Sequence, residues 1–476
     1  MKLRYDAIII GSGIGGLTCG CYLAKFGLKV LLLEQHNKPG GCCTSFMKKG
    51  FLFNSAVHYL GGVNEGIFGN IINELDLKRT VEFKKIDPVC NMVFPTFSFN
   101  LRSDFQDTIQ EIIKVFPEEN ESLKKFYYFT QTEKFIDIYI KIKNKRFDSV
   151  LKEYSKNSKI INIFNALMIG SAGLSSEEIS AVNAISLLRQ YFKDFGYHPL
   201  GGAQRLSDGL ARVFESSGGE ILYNSDVNSI IIEGNKAKGV VVNKSKYYSD
   251  NIVSNIDFKQ TRRLCNILPS NDFKLSKLKE SASFFTLYMA IDEKKDMSSL
   301  RTDRWFQLEE TPRNHTKLDI DKGNIRWFIC CFPFLYDTSN KKRVVEIFTT
   351  VNYISKEFWE KNRTKFESIL ITKAETLIPQ LKNSVIFRFN ATPTTYERYT
   401  RNSKGAAFGW EADGSLSKNF HFDEIFKIKN LYLAGHWMKG VAGQGGVTSV
   451  ALSGRKTAET ILNKNKNFKK FKVLYL

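Results

Sequence analysis

In the first thirty-four residues the pattern of apolar positions changes twice, from a continuous run to helical spacing and back to a continuous run. Residues 6–10 form a short apolar run after Asp6, which is typical of a buried strand. Apolar positions then recur at helical spacing over 14–26, with Gly27 suited to end a helix, and a second apolar run over 29–33 stops at Glu34. Strand, glycine turn, helix and strand form the unit that builds a parallel sheet by right-handed crossover. The pattern therefore predicts an α/β fold at this end.

Two further changes of pattern divide the rest of the chain. Residues 75–195 hold long, charged, helix-like stretches such as 104–115 and 121–142, and the change comes at Tyr197–Gly202. Beyond it the pattern predicts these elements: helices over 204–215, 358–377 and 447–462, and strands over 220–223, 227–233, 239–242, 250–255, 284–291, 325–333, 343–351 and 430–434. A glycine-rich loop over 435–446 precedes the last helix. With 476 residues and no internal repeat, two or three lobes are expected.

Composition adds two questions about partners. Thirty-eight Phe and nineteen Tyr fit either large cores or a long apolar cavity. The net charge of +20 concerns partners and not fold. The sequence contains no nucleic-acid-binding module, so we expect no nucleic acid partner. An anionic membrane surface and a simple basic background both stay open, and the tail over 463–472 could either contact anionic headgroups or be solvated.

Location follows from what the sequence lacks. The longest apolar stretch, 160–174, is interrupted by Asn162, Asn165, Gly170 and Ser171 and is shorter than the roughly 20 residues that span a bilayer. The start shows no secretory signal pattern. Of eight cysteines, four form adjacent pairs and none a metal-type Cys-x-x-Cys spacing, so we expect reduced thiols and no metal site. We expect a cytoplasmic protein, with peripheral membrane contact left open.

The clearest chemical signal is the motif GSGIGG over 11–16. Gly11 permits a tight turn out of the strand, Gly13 lets the backbone approach a pyrophosphate, and Gly16 lets the helix pack closely on the sheet. The helix start offers unpaired N–H groups to phosphates. Glu34 stands close to the roughly 20-residue spacing of the acid that binds a ribose hydroxyl. This spacing predicts a dinucleotide site.

Two later segments favour FAD over NAD. The pair Gly40–Gly41 follows Glu34 and is expected to pass near the same diphosphate. Almost four hundred residues later the run LYLAGHW over 431–437 leads into a glycine-rich loop that includes Gly440, Gly443 and Gly445. Simple NAD enzymes need no such return of the chain. A helix beginning at Val447 would direct its positive end at a flavin ring and stabilise negative charge there.

These motifs resemble the phytoene desaturase, carotenoid isomerase and retinol saturase group, within the glutathione-reductase-like fold shared with amine oxidases. The segments GGCCTSF over 40–46, GFLF over 50–53 and VHYLG over 57–61 are similar to the retinol saturase branch. Tyr197–Gly202, the glycines at 218–219 with Val227, and Val253–Asn255 resemble the central family segments. The resemblance implies a Rossmann-like FAD-binding domain of glutathione-reductase and amine-oxidase type, joined to a mixed α+β substrate domain.

Carried over position by position, the resemblance implies a set of cofactor contacts. The adenosine, ribose and diphosphate group consists of Gly11, Gly13, Ile14, Gly15, Gly16, Glu34, Gln35, Gly40, Gly41 and Cys42. Val227 matches the adenine contact, and the ribityl and ring end is matched by Gly435, His436, Gly446 and Val447. Two positions depart from the family: His436 stands where many relatives have an acid, and Cys42 where many desaturases have arginine.

Candidate reactive residues are few. His58 and Tyr59 follow the second glycine region and could face the flavin ring, with His58 as acid or base; a purely structural histidine is the alternative. No nucleophile pattern is visible. The segment 170–173 lacks the strand and the acid of a second dinucleotide unit, so we expect electrons to be exchanged with substrate, quinone, oxygen or a separate reductase.

The family resemblance and the aromatic-rich lobes lead to one preferred interpretation. We expect an FAD-dependent oxidoreductase that desaturates, saturates or isomerises C=C bonds of an apolar, isoprenoid-like molecule by hydride exchange at flavin N5. The alternatives are an amine-oxidase-like enzyme on a small polar substrate and a non-catalytic escort protein for prenyl groups. We expect 1–75, 196–265 and 426–476 to form the FAD-binding domain, and 76–195 and 266–425 the substrate domain.

Overall fold

The computed structural model describes residues 3–266, 278–309, 324–339, 341–413, 427–438 and 446–464. The strands in these ranges are β1 Leu3–Arg4, β2 Ala7–Ile10, β3 Val30–Leu33, β4 Ser45–Lys48, β5 Phe51–Asn54, β6 Phe83–Lys85, β7 Cys90–Val93, β8 Ser98–Leu101, β9 Tyr197–Pro199, β10 Glu220–Leu222, β11 Val227–Glu233, β12 Lys236–Val242, β13 Ser245–Tyr248, β14 Ile252–Ser254, β15 Ser283–Ile291, β16 Asp303–Gln307, β17 Trp327–Cys331, β18 Arg343–Val351, β19 Val385–Ala391 and β20 Leu431–Leu433. The helices are α1 Ile14–Lys25, α2 Ile67–Glu74, α3 Phe105–Val115, α4 Asn120–Gln131, α5 Phe135–Ile142, α6 Phe147–Tyr154, α7 Ser158–Ala172, α8 Ala181–Leu187, α9 Gln204–Ser216, α10 Phe258–Leu264, α11 Lys356–Leu377, α12 Pro393–Thr400 and α13 Val447–Lys464.

A five-stranded parallel sheet joins three distant parts of the chain. Its order is β10-β3-β2-β14-β20, and every neighbouring pair is parallel. All residues of β2 and β3 are buried, which explains why these strands are apolar without alternation: helices cover both faces of such sheets. Helix α1 packs against α9 and α13. The last helix therefore lies beside the first, and β20 lies beside β14.

Two other sheets flank this core. A four-stranded sheet, β1-β13-β12-β11, shares an apolar cluster with β2 and β20. A seven-stranded sheet of order β19-β15-β18-β17-β16-β7-β8 is antiparallel except where β16 pairs with β7. Alternate side chains of this sheet enter different clusters: Trp305 and Ile329 pack with α3–α8, while Phe306 and Phe328 pack with α11. The sheet thus separates two apolar layers.

Most predicted elements exist within one or two residues of their expected ends, but the helix expected over 121–142 is divided. Helix α4 ends at Gln131 and α5 begins at Phe135. The Nη1 atom of Arg189 donates to the carbonyl oxygens of Thr130 and Glu133, at 2.9 and 3.0 Å. These bonds satisfy carbonyls left free where α4 ends, so a residue far along the chain stabilises the break.

The apolar stretch over 160–174 falls largely within α7, which has ten buried residues. Among the helices that the structure describes, none combines the length and apolar character needed to cross a bilayer. Gly170 and Ser171 lie within α7, so this segment is not a strand-to-helix turn. The loop positions Gly440, Gly443 and Gly445 and most of the basic tail lie outside the described residues. The predicted domain bounds stay a prediction.

Candidate active site

The opening glycine turn leaves the carboxyl end of β2. The φ of Gly11 is +93°, a conformation that favours glycine, and its N–H donates to the carbonyl oxygen of Leu33 at 2.8 Å. Helix α1 begins at Ile14 with no side chain capping its first turn. Its first N–H groups therefore remain available to an anionic ligand.

The second glycine pair lies against this turn. The N–H of Gly40 donates to the carbonyl oxygen of Ser12 at 2.9 Å, and a Cβ added at Gly41 would lie 3.4 Å from the Cα of Gly13. Glu34 is 5% exposed. Its Oε2 accepts from the backbone N–H of Ser12 at 2.9 Å, so the carboxylate orders the turn beside which it lies.

The closing segment reaches the same place from the other end of the chain. Gly435 follows β20 with a φ of +89°, and its N–H donates to Ser453 Oγ at 2.8 Å in α13. Trp437 is 2% exposed, and its Nε1 donates to Asn402 Oδ1 at 3.0 Å. The loop is therefore held by α13 on one side and by the segment around Asn402 on the other.

One continuous cavity runs between the two ends of the chain. Trp437 lines it together with the opening turn, as the FAD hypothesis required. The predicted cofactor residues that line it are Gly11, Gly13, Ile14, Glu34, Gln35, Gly40, Gly41, Cys42, Val227, Gly435, His436, Gly446 and Val447. The structure therefore brings thirteen of the fifteen predicted positions together, although the first and the last of them are 436 positions apart in the sequence.

The other two predicted positions, Gly15 and Gly16, are not among the residues that line the cavity. A Cβ at Gly16 would lie 2.2 Å from the carbonyl oxygen of Gly11, and one at Gly15 would lie 2.7 Å from the nitrogen of Gly435. Both positions need glycine because backbone approaches closely, as the motif predicts for Gly16.

His436 lines the cavity as an uncharged imidazole. Burial lowers its pKa from 6.5 to about 4. The acid that many relatives carry here would place a negative charge at this position. His436 instead provides a neutral hydrogen-bonding ring at pH 7.

His58 and Tyr59 lie on the wall of the cavity, in the loop after β5. The ring of His58 stacks on Phe348 with centroids 4.4 Å apart and planes 7° apart. Its Nδ1 lies 2.9 Å from Oε2 of Glu346, and the exposed fractions of the two side chains are 5% and 0%. The other carboxylate oxygen, Oε1, accepts from the backbone N–H of Asn54 at 2.6 Å. A carboxylate thus stands directly behind the imidazole.

A second buried carboxyl group stands behind Tyr59. The Tyr59 hydroxyl donates to Asp303 Oδ2, the hydroxyl of Tyr336 donates to the same oxygen at 3.3 Å, and the N–H of Phe332 donates to Oδ1 at 2.6 Å. Burial raises the pKa of Asp303 from 3.8 to about 6. Burial also holds the pKa of Tyr59 well above its ordinary value of 10.0, so its hydroxyl keeps the proton.

This end of the cavity is bounded by the seven-stranded sheet and the helices beside it, and most of its wall is apolar: Leu101, Phe195, Phe284, Trp305, Ile329 and Phe348. The polar side chains of Ser171, Ser186, Gln190 and Tyr191 line it as well. An apolar wall with few polar groups suits a hydrophobic ligand positioned by shape.

Sequence reasoning did not assign roles to Glu346, Asp303 or Asn255. Glu346 had a usable signal: it is the charged residue inside the apolar run VVEIF, and a carboxylate there must be buried with a partner. Asp303 begins β16 and gives no comparable pattern. Asn255, which follows β14, lines the cavity and was noticed only as part of a family segment.

The residues present fit a flavin dinucleotide. A helix start without a side-chain cap, a buried carboxylate at the end of β3 and a loop from the far end of the chain all meet along one cavity. These are the groups that bind pyrophosphate, ribose and ring in such sites.

Comparisons with known proteins agree with this architecture. The family described as "Flavin containing amine oxidoreductase" matches residues 14–462. All-trans-retinol 13,14-reductase of Danio rerio is 23% identical, with 98% of this chain and 87% of that protein covered. The chloroplastic prolycopene isomerase of Daucus carota is 26% identical, with 96% and 80% covered. The crystal structure of an oxidoreductase from Methanosarcina mazei superposes with a TM-score of 0.66 at 18% identity, covering 96% of this chain and all of that one.

Proposed function

The chain belongs to the flavin-containing amine oxidoreductase family and is an FAD-dependent oxidoreductase, and from this premise we propose that it acts on C=C bonds of an apolar polyene. The predicted fold and cofactor are confirmed by the family match. Because the family consists of flavin-dependent oxidoreductases, the alternative of a non-catalytic escort protein for prenyl groups is dropped. The choice between a polyene and a small amine depends on the substrate end of the cavity.

The observation that carries the proposal is the apolar wall between the sheet and the helices. Side chains of Phe195, Phe284, Trp305 and Phe348 bound the space beyond His58. A small cationic amine would lose its hydration there with little compensation, whereas an isoprenoid chain would be stabilised by burial. The two relatives named for retinol and prolycopene support the same substrate class.

The chemistry divides between cofactor and protein. FAD, when bound, supplies or accepts hydride at its N5 atom. Saturation of a double bond also needs a proton at the neighbouring carbon, and desaturation releases one. We assign the handling of that proton to His58 and Tyr59, which line the cavity and are each backed by a buried carboxyl group, Glu346 and Asp303. The apolar wall excludes water, which leaves proton transfer to these groups.

Two partners belong to this proposal. The sequence has one dinucleotide fingerprint, so a separate donor or acceptor exchanges electrons with the enzyme. Polyenes dissolve in lipid and not in water, so we place the working enzyme at a membrane surface.

An anaerobic experiment tests the proposal. The purified yellow protein is photoreduced and then mixed with all-trans-retinol or with prolycopene. We expect either reoxidation of the flavin with a dihydro product, or a geometric isomer formed without net change in flavin colour. Putrescine added to the oxidised enzyme is the comparison. Bleaching of the flavin by the amine, with both polyenes recovered unchanged, would assign the enzyme to amine oxidation instead.

A further inference from the structure

Helix α5 carries apolar side chains on two opposite faces. Ile138 and Ile142 point inward and are buried. Ile136 and Ile140, four residues apart and therefore on one face, are 61% and 60% exposed, and Tyr139 beside them is 40% exposed. Single exposed apolar side chains are ordinary, but three on one turn of a short helix mark a contact surface.

Basic residues outnumber acidic ones in the segment that contains this apolar face, although Lys141 is paired with Glu133 at 3.0 Å and Asp137 is exposed on the same helix. Tyr128 of α4 is 63% exposed, and the segment 120–146 contains seven basic and three acidic residues. The exposed lysines are Lys124, Lys125, Lys134, Lys141 and Lys143. We call these exposed residues, which fall within a stretch of twenty residues of sequence, the α4–α5 surface: Tyr128, Ile136, Tyr139, Ile140 and the five lysines. Exposed aliphatic and tyrosine side chains accompanied by several lysines are typical of helices that lie in a lipid interface.

The α4–α5 surface lies close to the substrate end of the cavity. The inner residue Ile138 and Leu187 of α8 belong to one apolar cluster, and Leu187 also lines the cavity. The guanidinium group of Arg189 lies 5.9 Å from the ring centre of Phe135 at the start of α5. Helix α8 therefore separates the exposed face from the chamber that we assign to the substrate.

We propose that the α4–α5 surface docks on an anionic lipid bilayer, with α5 lying parallel to the membrane and Ile136 and Ile140 inserted below the headgroups. The inference extends the proposed function by naming the surface through which the enzyme meets the membrane. The ammonium groups of the lysines complement anionic headgroups, and their aliphatic stems can lie in the apolar layer while the charged ends stay at the headgroups. A second copy of the chain is disfavoured as occupant, because a symmetric contact would bring Lys134 and Lys143 against the partner's lysines.

Vesicle binding tests the docking surface without any substrate. The flavin-loaded protein is mixed with phosphatidylcholine vesicles containing or lacking phosphatidylserine, and the bound fraction is measured by co-sedimentation. We expect binding that needs phosphatidylserine and weakens with salt. Ile136→Glu should weaken it roughly tenfold or more, since one buried isoleucine is replaced by a charge. Ile386→Glu is the matched control, because Ile386 is 58% exposed on β19 and the charge change is the same.

The outcomes separate this inference from its rivals. Equal weakening by Ile136→Glu and Ile386→Glu would show a general electrostatic effect and overturn the proposal. Loss of binding on deletion of 465–476, with Ile136→Glu unaffected, would assign the contact to the tail. A dimer in lipid-free buffer that Ile136→Glu dissociates would identify a second copy as the occupant. No polyene is present in the vesicle experiment. A failure to bind vesicles would therefore not bear on the polyene reaction, and a failure to react with polyenes would not bear on vesicle binding.

Discussion

The side-chain nitrogen of Asn255 donates to the carbonyl oxygen of Gly11 across 3.2 Å. A Cβ added at Gly15 or Gly435 would lie 2.7 Å from the Oδ1 of the same side chain. Asn255 therefore fills the space between the opening turn, the start of α1 and the closing loop. Asn255 is therefore a positioning residue, which sets the distance between the opening turn and the closing loop.

We expect Asn255→Asp to weaken FAD binding at least about tenfold. The carboxylate cannot donate to Gly11 and adds a negative charge near the diphosphate end of the cavity. The dissociation constant can be measured by flavin fluorescence on reconstitution of the apoprotein. Asn251→Asp is the matched change, since the Asn251 amide donates to the carbonyl oxygen of Asp6 at 2.9 Å at the amino ends of β2 and β14, the edge of the sheet opposite the glycine turn. Equal losses in both variants would refute the positioning role.

Gly454 predicts a packing effect separate from the cofactor. A Cβ at Gly454 would lie 2.2 Å from the carbonyl oxygen of Gly15, where α13 crosses α1. Gly454→Ala should therefore lower the free energy of unfolding by about 1–3 kcal/mol. Urea denaturation of the apoprotein measures it. Gly446→Ala should leave stability nearly unchanged, because a Cβ there meets no described atom within 4 Å; similar losses in both would contradict the packing argument.

The pair formed by His58 and Glu346 should behave as a unit in catalysis. Glu346→Gln keeps the shape of the side chain and removes its charge, so we expect kcat to fall about 10²–10⁴-fold with the FAD content retained. His58→Gln should have a similar effect, and the double variant should be little worse than either single one. Glu367→Gln, at a carboxylate paired with Arg388 at 2.7 Å, controls for loss of a charge. If the fold-decrease in kcat of the double variant equals the product of the two single decreases, the two residues act independently.

Asp303 predicts an unusual dependence of stability on pH. Its pKa is raised from 3.8 to about 6, so the folded state holds the proton more tightly than the unfolded state. The contribution of Asp303 to the free energy of unfolding is complete below pH 3.8 and is lost as the pH rises through 6. The loss amounts to roughly 3 kcal/mol. Asp303→Asn should remove this loss from unfolding curves measured between pH 4 and pH 7.

Asp337 provides a control of opposite sign. Against the effect of burial, the nearby ring of His198, whose Nε2 lies 3.5 Å from Oδ2, and hydrogen bonds from Ser339 and the N–H of Gly201 lower the pKa of Asp337 to about 2. Its contribution is complete above 3.8 and is lost only as pH falls through 2. Asp337→Asn should therefore leave in place the loss of stability that Asp303 causes between pH 4 and pH 7. If Asp303→Asn leaves the dependence of the free energy of unfolding on pH unchanged, the pKa of Asp303 is not raised by folding and the prediction is wrong.

Local pattern was enough to predict the parallel sheet and the cofactor end. The turn at Gly11, the acid at Glu34 and the strand before Gly435 have signatures confined to a few neighbouring residues, because glycine conformation and helix starts are local properties. The resemblance of these segments also led to the family, which the comparison confirmed. The break between α4 and α5 was missed because its stabilising residue, Arg189, is distant in sequence.

The sequence by itself therefore determined the class of fold and the cofactor, and it predicted thirteen residues that the structure brings together along one cavity, since each depends on short-range spacing. Only the tertiary structure decided what stands behind His58 and Tyr59, because Glu346 and Asp303 reach them from strands about 290 and 240 residues away. It also decided that Gly15 packs against the backbone of Gly435 and that one face of α5 stays exposed. Burial and side-chain pairing are set by which elements meet, and that information is spread over the whole chain.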